Sequence, residues 1–214
     1  MFKNILWKIW SSDNNFKSSK DYWNQRYLKG GDSGSGSYGR MAEFKAGVIN
    51  EFIKKNEIKE IIEFGCGDGN QLKYLNCQFY IGYDVSKVAV EKCCDVFSSD
   101  STKEFRLMKD YFQEQVDLTV SIEVIFHLIE DDVYHDYMEK LFSSSKRFVI
   151  IFSSNTEDNE LDLADHVRHR EFTRWIEENN VPFKLKKKIN NKYPFDGKKG
   201  TSFSDFYIFE KYNE

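Results

Sequence analysis

The residues Glu63-Phe64-Gly65-Cys66-Gly67-Asp68-Gly69 set a carboxylate in front of three glycines at alternate positions. The apolar pair Ile61-Ile62 leads into this run, and Gln71-Leu72-Lys73-Tyr74-Leu75 after it reads as the start of a helix. A strand that stops in glycines before a helix lets a ligand lie against bare backbone. A second apolar run, Tyr80-Ile81-Gly82-Tyr83, closes in Asp84, 21 positions after Glu63. About 20 residues is the interval at which a neighbouring strand's carboxylate reaches a ribose hydroxyl. Asp84 also stands where it can cap a helix beginning near Ser86. Further along, His127 follows a third apolar run, and a neutral imidazole there can take a proton from a hydroxyl or bond loop backbone. The run Asp165-His166-Val167-Arg168-His169-Arg170 is the densest cationic cluster. Its guanidinium forks suit a phosphate or carboxylate, or else decorate the first turn of a helix.

The glycine spacing discriminates among nucleotide-like ligands. A dinucleotide fingerprint is G-x-G-x-x-G, so that pyrophosphate sits on a helix N-terminus. Counting from Gly65, its last glycine is replaced by Asn70. An anionic Glu63 beside the loop suits a sulfonium or an ammonium better than a pyrophosphate. Gly34-Ser35-Gly36-Ser37-Tyr38-Gly39 does match G-x-G-x-x-G, but no strand precedes it. It reads as a flexible linker or as a lid that closes over a bound ligand.

The pattern Glu63-x-Gly65-x-Gly67-x-Gly69 resembles the first motif of class I S-adenosylmethionine-dependent methyltransferases, and the resemblance extends over about residues 20 to 212. Val116-Asp117-Leu118-Thr119-Val120-Ser121 looks like that family's fourth strand, and Glu123-Val124-Ile125-Phe126-His127-Leu128 like the loop after it. Arg147–Phe152 looks like the fifth strand and Ser204–Phe209 like the last. The resemblance implies an S-adenosyl-L-methionine cofactor, yielding S-adenosyl-L-homocysteine. It implies cofactor contacts from Tyr27, Arg40, Glu63, Gly65, Cys66, Gly67, Asp84 and Ser121, with Arg40 pairing the methionine carboxylate. Asp100 is a candidate for the adenine amino group, or a helix cap. Catalytic candidates are His127, at the rim after the fourth strand, and His166 and Arg168, because the family commonly builds its acceptor site after the fifth strand. Tyr22-Trp23-x-x-Arg26-Tyr27 and Gly34–Arg40 further resemble a branch of bacterial enzymes associated with capsule and other surface polysaccharides, including their O-methyl phosphoramidate decoration.

These groups need a scaffold. Helical spacing recurs over 20–29 and 41–55, and strands are expected at 58–64, 78–84, 94–98, 116–121 and 147–153. Helices are expected at 69–75, 86–93, 101–112, 131–143 and 168–179, and the last part reads as helix, strand, turn, strand. The alternation predicts a Rossmann-like α/β fold: a seven-stranded, mostly parallel sheet with an antiparallel C-terminal hairpin and helices on both faces. Residues 1–19 read as a short N-terminal helix and linker, and 20–214 as the methyltransferase domain, with 20–40 as its lid. Phe2, Ile5, Leu6, Ile9 and Trp10 share one helical face. That face suits docking on the protein's own surface or on a second copy in a homodimer, with a shallow membrane anchor as the alternative.

Composition narrows the partners. The net charge is −4, which gives no general attraction to nucleic acid. No Asp- or Asn-Pro-Pro-aromatic run follows the fourth strand and no Pro-Cys pair occurs, which argues against nucleobase methylation. The four cysteines lack C-x-x-C spacing and read as reduced thiols in the cytoplasm, with no metal site. No apolar run is long enough for stable membrane insertion. The resemblance to capsule enzymes, with the Arg168–Arg170 cluster, implies a small anionic or sugar-containing surface-polysaccharide precursor as acceptor, methylated on oxygen. The alternatives are small-molecule N-methylation, a catalytically inactive cofactor-binding subunit and an NAD-dependent reductase.

Overall fold

A computed structural model describes residues 16–159 and 164–212; the apolar face between Phe2 and Trp10 lies outside them. Helix α1 spans Ser19–Leu28, and the Ser18 hydroxyl caps it by accepting from the Asp21 amide. Helix α2, Gly39–Asn56, buries Met41, Ala42, Ala46, Ile49 and Ile53 at three- and four-residue spacing. Strands β1 (Glu60–Phe64), β2 (Phe79–Asp84), β3 (Lys103–Leu107), β4 (Val116–Ile122) and β5 (Ser145–Ser153) pair in parallel. Between them run α3 (Lys87–Val96) and α4 (Asp131–Ser143). Helix α5 (Phe172–Glu178) leads to the antiparallel hairpin β6 (Phe183–Ile189) and β7 (Asp205–Lys211).

The sheet order is β3-β2-β1-β4-β5-β7-β6, and β7 lies antiparallel to β5. Strand order reverses between β1 and β4, and ligands of open α/β sheets bind where it does, beyond the carboxyl ends. Successive residues of β1 and β5 face opposite sides, so both faces are apolar. Ile61, Phe148 and Ile150 pack with α2, while Ile62, Val149 and Ile151 pack with Met138 and Leu141 of α4 and Trp175 of α5. Burying each such side chain contributes about 1.5–3 kcal/mol.

The seven-stranded, mostly parallel sheet and its antiparallel C-terminal hairpin are as the sequence predicts. Three elements differ. The strand expected at 94–98 is instead the end of α3, because Ala89, Val90 and Cys93 continue one buried helical face. The strand is at Lys103–Leu107, inside the expected helix 101–112. It is an edge strand whose charged residues hide its alternation. The helix expected at 69–75 is a single tight turn, Gln71–Tyr74. Among the described residues, no helix is long and apolar enough to cross a membrane.

Candidate active site

The backbone between β1 and the Gln71 turn is wound so that Gly65, Gly67 and Gly69 all have positive φ. The Gly65 and Cys66 amides donate to the Tyr83 carbonyl, which ties the turn to the end of β2. Asp84 ends β2 buried, and its carboxylate accepts from the Gly67 amide at 2.9 Å and the Ser86 amide at 2.8 Å. Ser86, not Asp84, caps α3. Glu63 is buried under the loop and accepts from the Tyr80 hydroxyl at 2.7 Å. Burial raises both carboxyls, Glu63 to about 7 and Asp84 to about 6, against the hydrogen bonds that favour their ionised forms.

The segment between α1 and α2 folds over this turn. Asp68 holds it: the Ser33 hydroxyl donates to one carboxylate oxygen at 2.8 Å and the Tyr38 hydroxyl to the other at 2.5 Å. Burial alone pushes the Asp68 carboxyl up, but these hydroxyls, the Asn70 amide and Lys92 outweigh it and hold it low. Tyr27 Oη lies 2.8 Å from Ser33 Oγ. A Cβ on Gly67 would come within 2.3 Å of Ser33 Oγ and 2.9 Å of Tyr27 Oη. The absent side chain at Gly67 is what allows the segment to seat.

The enclosed cavity has a volume of about 410 Å³. Glu63, Gly65, Cys66, Gly67, Asp84 and Tyr27 line one half, and His127 and His166 line the other. Glu123 stands between the halves. Its carboxylate accepts from fully buried Lys45 at 2.8 Å and from the Ser202 hydroxyl at 2.6 Å. Burial pushes this carboxyl up, yet Lys45 and Ser202 hold it low and ionised. A Cβ on Gly36 would meet Glu123 Oε2 at 2.1 Å, so the covering segment rests on this carboxylate.

His127 sits in the turn Ile125–His127 after β4. Its Nδ1 lies 2.8 Å from the His166 carbonyl oxygen, which can only accept, so Nδ1 carries the proton and Nε2 the lone pair. Burial lowers His127 to about 4, and lowers His166, with the help of His127 and Arg26, to about 3. Both imidazoles are neutral at pH 7. The turn is clamped from two sides. The Arg168 amide donates to the Phe126 carbonyl at 2.8 Å, and buried Arg170 donates to the Leu128 and Ile129 carbonyls. From α1, the Ser19 hydroxyl bonds the Glu130 carboxylate and accepts from the Ile129 amide.

Four residues expected at the site lie off the cavity wall. Arg40 donates to the Gly200 carbonyl and covers the Tyr193 ring, because α2 starts one residue earlier and turns it outward. Arg26, eight positions from the segment's other end at Gly34, is the arginine on the wall, bonded to Asp32 and Tyr22. Asp100 accepts from Thr102 in the turn before β3, at the wrong end of that strand. Met108, after β3, lines the cavity instead. Ser121 lies one layer below, its Oγ accepting from the Tyr137 hydroxyl at 2.7 Å. Arg168 pairs through Nη1 with Asp131 at 2.9 Å, and Arg170 shares the same carboxylate at 2.6 Å, so both are engaged by the protein's own acid and neither lines the cavity. Sequence reasoning also missed Lys45 and the stretch 195–203, whose Phe195, Thr201, Ser202 and Phe203 wall the cavity. The apolar pattern of α2 hides Lys45, while Phe195 and Phe203, aromatic residues set in a stretch of lysines, glycines and serines after Pro194, were a signal for the second. Among the described residues, no cluster of His, Cys, Asp and Glu could hold a metal ion.

Comparison with known proteins gives this cavity a context. Residues 62–150 match the profile of a family described as a methyltransferase domain. The fold is similar to the N-methyltransferase NodS from Bradyrhizobium japonicum WM9 in complex with S-adenosyl-L-homocysteine: 15% identity, 91% of this chain and 99% of that chain covered, TM-score 0.72. It is similar to magnesium protoporphyrin IX methyltransferase from Synechocystis PCC 6803 with bound SAM: 13% identity, 93% and 100% covered, TM-score 0.61. The methyltransferase domain of bacterial CtHen1-C overlays with 19% identity, 79% and 97% coverage and TM-score 0.60. No curated protein matches the sequence. The match over residues 62–150 and the fold shared with these enzymes indicate S-adenosylmethionine-dependent methyl transfer. The residues present fit that cofactor: a side-chain-free loop, an acid at the end of β2 and a second buried acid below the loop.

Proposed function

We propose that this S-adenosylmethionine-dependent methyltransferase methylates a hydroxyl of a small acceptor, with neutral His127 taking the proton. The cofactor supplies a methyl group made electrophilic by its sulfonium. Asp84 holds the ribose hydroxyls, the Gly65–Gly67 backbone lies along the amino-acid portion, and Glu63 supplies negative charge beneath it. Arg26, in the place expected of Arg40, pairs the cofactor carboxylate, with Tyr27 beside it. The segment 30–39 is a lid, latched by Asp68, that excludes water.

The observation that carries the assignment to oxygen is the fixed tautomer of His127. Nδ1 is committed to the His166 carbonyl, so Nε2 is the atom able to accept. A group with a pKa of about 4 is a weak base, but it is neutral and ready throughout the physiological range. A hydroxyl becomes strongly acidic as its oxygen gains the methyl group, so a weak base suffices late in the step. General-base help of this kind contributes about a hundredfold to ten-thousandfold, and alignment about 7–11 kcal/mol.

The resemblance of residues 22–27 and 34–40 to capsule enzymes supports a surface-polysaccharide precursor as the acceptor's origin. An anionic acceptor has lost its argument, since Arg168 and Arg170 are held by Asp131. The test is a screen of such precursors with labelled cofactor, followed by His127→Ala. Transfer to oxygen should fall about a hundredfold or more, while S-adenosylhomocysteine affinity in calorimetry stays the same. Full activity in His127→Ala, or an alkali-stable N-methyl product, would overturn it.

A further inference from the structure

The half of the cavity beyond Glu123 is walled by Phe195, Phe203, Phe126, His127 and Trp23, with buried His169 behind the wall joining Phe203 to Phe126. Phe195 stacks on Phe203 with centroids 3.9 Å apart, and Phe203 meets His169 edge-on at 5.1 Å. His169 touches Phe126 at 6.2 Å, Phe126 touches His127 at 4.5 Å, and His127 meets Trp23 edge-on at 5.0 Å. Four separate parts of the chain supply this arc: α1, the turn after β4, the segment between β5 and α5, and the connection between β6 and β7. Phe195 and Phe203 remain 44% and 40% exposed although both line the cavity. Large apolar rings left open at the mouth of a cavity mark a binding surface.

The arc is also uncharged. The histidines on it are neutral, and the nearby arginines, Arg168 and Arg170, pair with Asp131. Charges that line this half are the Glu123 carboxylate, which repels an anion, and Arg26, 5.6 Å over the Trp23 ring, which the cofactor carboxylate proposed above would neutralise. The hydroxyls of a polyol would find few partners along these rings. A flat ring is matched by offset-stacked and edge-on contacts with such walls.

We infer that the part of the acceptor entering this cavity is a planar, uncharged ring, and that Phe195 and Phe203 determine this specificity. The inference rests on the reading of the cavity as the methyl-transfer site. The ring enters at the Phe195–Phe203 pair, lies along Phe126, and brings its hydroxyl to His127 at the far end of the arc.

The experiment uses the full chain in two stages. Calorimetry with S-adenosylhomocysteine comes first, and a failure to bind there overturns the underlying site. The saturated protein is then offered phenol and benzamide as planar probes, methyl galactoside as a polyol and glucuronate as an anion, followed by saturation-transfer NMR. The planar probes should bind, and Phe195→Ala/Phe203→Ala should weaken them about tenfold or more. Phe203→Leu, which keeps the apolar volume, should weaken them as well, and S-adenosylhomocysteine affinity should hold in both variants. Binding of the galactoside or glucuronate in place of the planar probes overturns the inference. So does unchanged planar binding in both variants.

Discussion

The two halves of the cavity are made of different material. Beside Gly65–Asp68 the wall is largely backbone, with two glycines and the buried acids Glu63 and Asp84, all within one β-strand–turn–β-strand unit. Beyond Glu123 the wall is side chain, and its rings come from residues as distant in sequence as Trp23 and Phe203. The first half tolerates no added atoms, while the second depends on loops held by hydrogen bonds. A wall of backbone therefore fails by steric intrusion, and a wall of side chains fails by loss of alignment.

The sharpest test of that difference is one methyl group. Gly67→Ala puts a Cβ within 2.3 Å of Ser33 Oγ at a residue with φ of +58°. The strained backbone alone costs about 1–2 kcal/mol, and the lid must also move away. Affinity for S-adenosylhomocysteine should fall about a hundredfold or more. Calorimetry that shows wild-type affinity would mean that the lid does not seat on the loop when the cofactor is bound.

The matching test on the other half is Arg170→Met, which keeps most of the volume and removes the fork. Arg170 donates to the Leu128 carbonyl at 3.1 and 3.0 Å, the Ile129 carbonyl at 2.8 Å and Asp131 at 2.6 Å, and it covers the Tyr134 ring. Without it the turn bearing His127 is held by α1 and by the Arg168 amide. We expect kcat to drop about tenfold to a hundredfold through misplacement of the imidazole. S-adenosylhomocysteine affinity should change less than about twofold, because no cofactor contact moves. Arg170→Lys should not rescue it, since an ammonium cannot serve carbonyls and carboxylate as one planar fork. Equal losses in affinity and kcat would show that the halves are not independent.

The same division explains what was legible in the sequence. Glu63, Gly65, Gly67 and Asp84 lie on the cavity wall as their spacing suggests, because a strand–turn–helix unit fixes its geometry locally. The mostly parallel sheet followed from alternation, and the terminal hairpin from the strand–turn–strand pattern of the last part, whereas strand order did not. The second half was not legible in that way. His166 and His127 are 39 positions apart, and only the fold turns Arg168 toward Asp131 rather than toward a ligand. Lys45 carries no polar context in sequence, since its partner Glu123 is 78 positions away. The misplaced β3 had a local cause: the charged alternation Lys103-Glu104-Phe105-Arg106 suits an edge strand and also an exposed helix.

The halves also titrate in opposite directions. Glu63 is raised from 4.5 to about 7, so the stability it contributes is present below 4.5 and lost as pH rises through 7. His127 is lowered from 6.5 to about 4, so its contribution is present above 6.5 and lost as pH falls through 4. A bound cation favours ionised Glu63 and Asp84, so cofactor binding should expel protons. Between pH 8 and 6 affinity should fall about tenfold as Glu63 takes a proton. Calorimetry in two buffers of different ionisation enthalpy should show proton release near pH 6.5, between the pKa values of Asp84 and Glu63. Glu63→Gln should flatten the slope, and a slope that survives it would move the titration to Asp84.

The smallest expected effect is the most direct check on which arginine faces the cofactor. Arg40 and Arg26 sit at opposite ends of the lid, and sequence alone favoured Arg40. Its guanidinium donates to the Gly200 carbonyl at 3.1 Å and lies 4.5 Å over the Tyr193 ring, on an exposed surface. An exposed cation of this kind contributes little to stability, and its charge is screened from the cavity by salt. Arg40→Ala should therefore change S-adenosylhomocysteine affinity by less than about twofold. Arg26→Ala removes the arginine on the cavity wall and its bonds to Asp32 and Tyr22, and should weaken affinity about tenfold. A reversed order would place the lid differently in the bound protein, with α2 unwound at its first turn so that Arg40 swings inward.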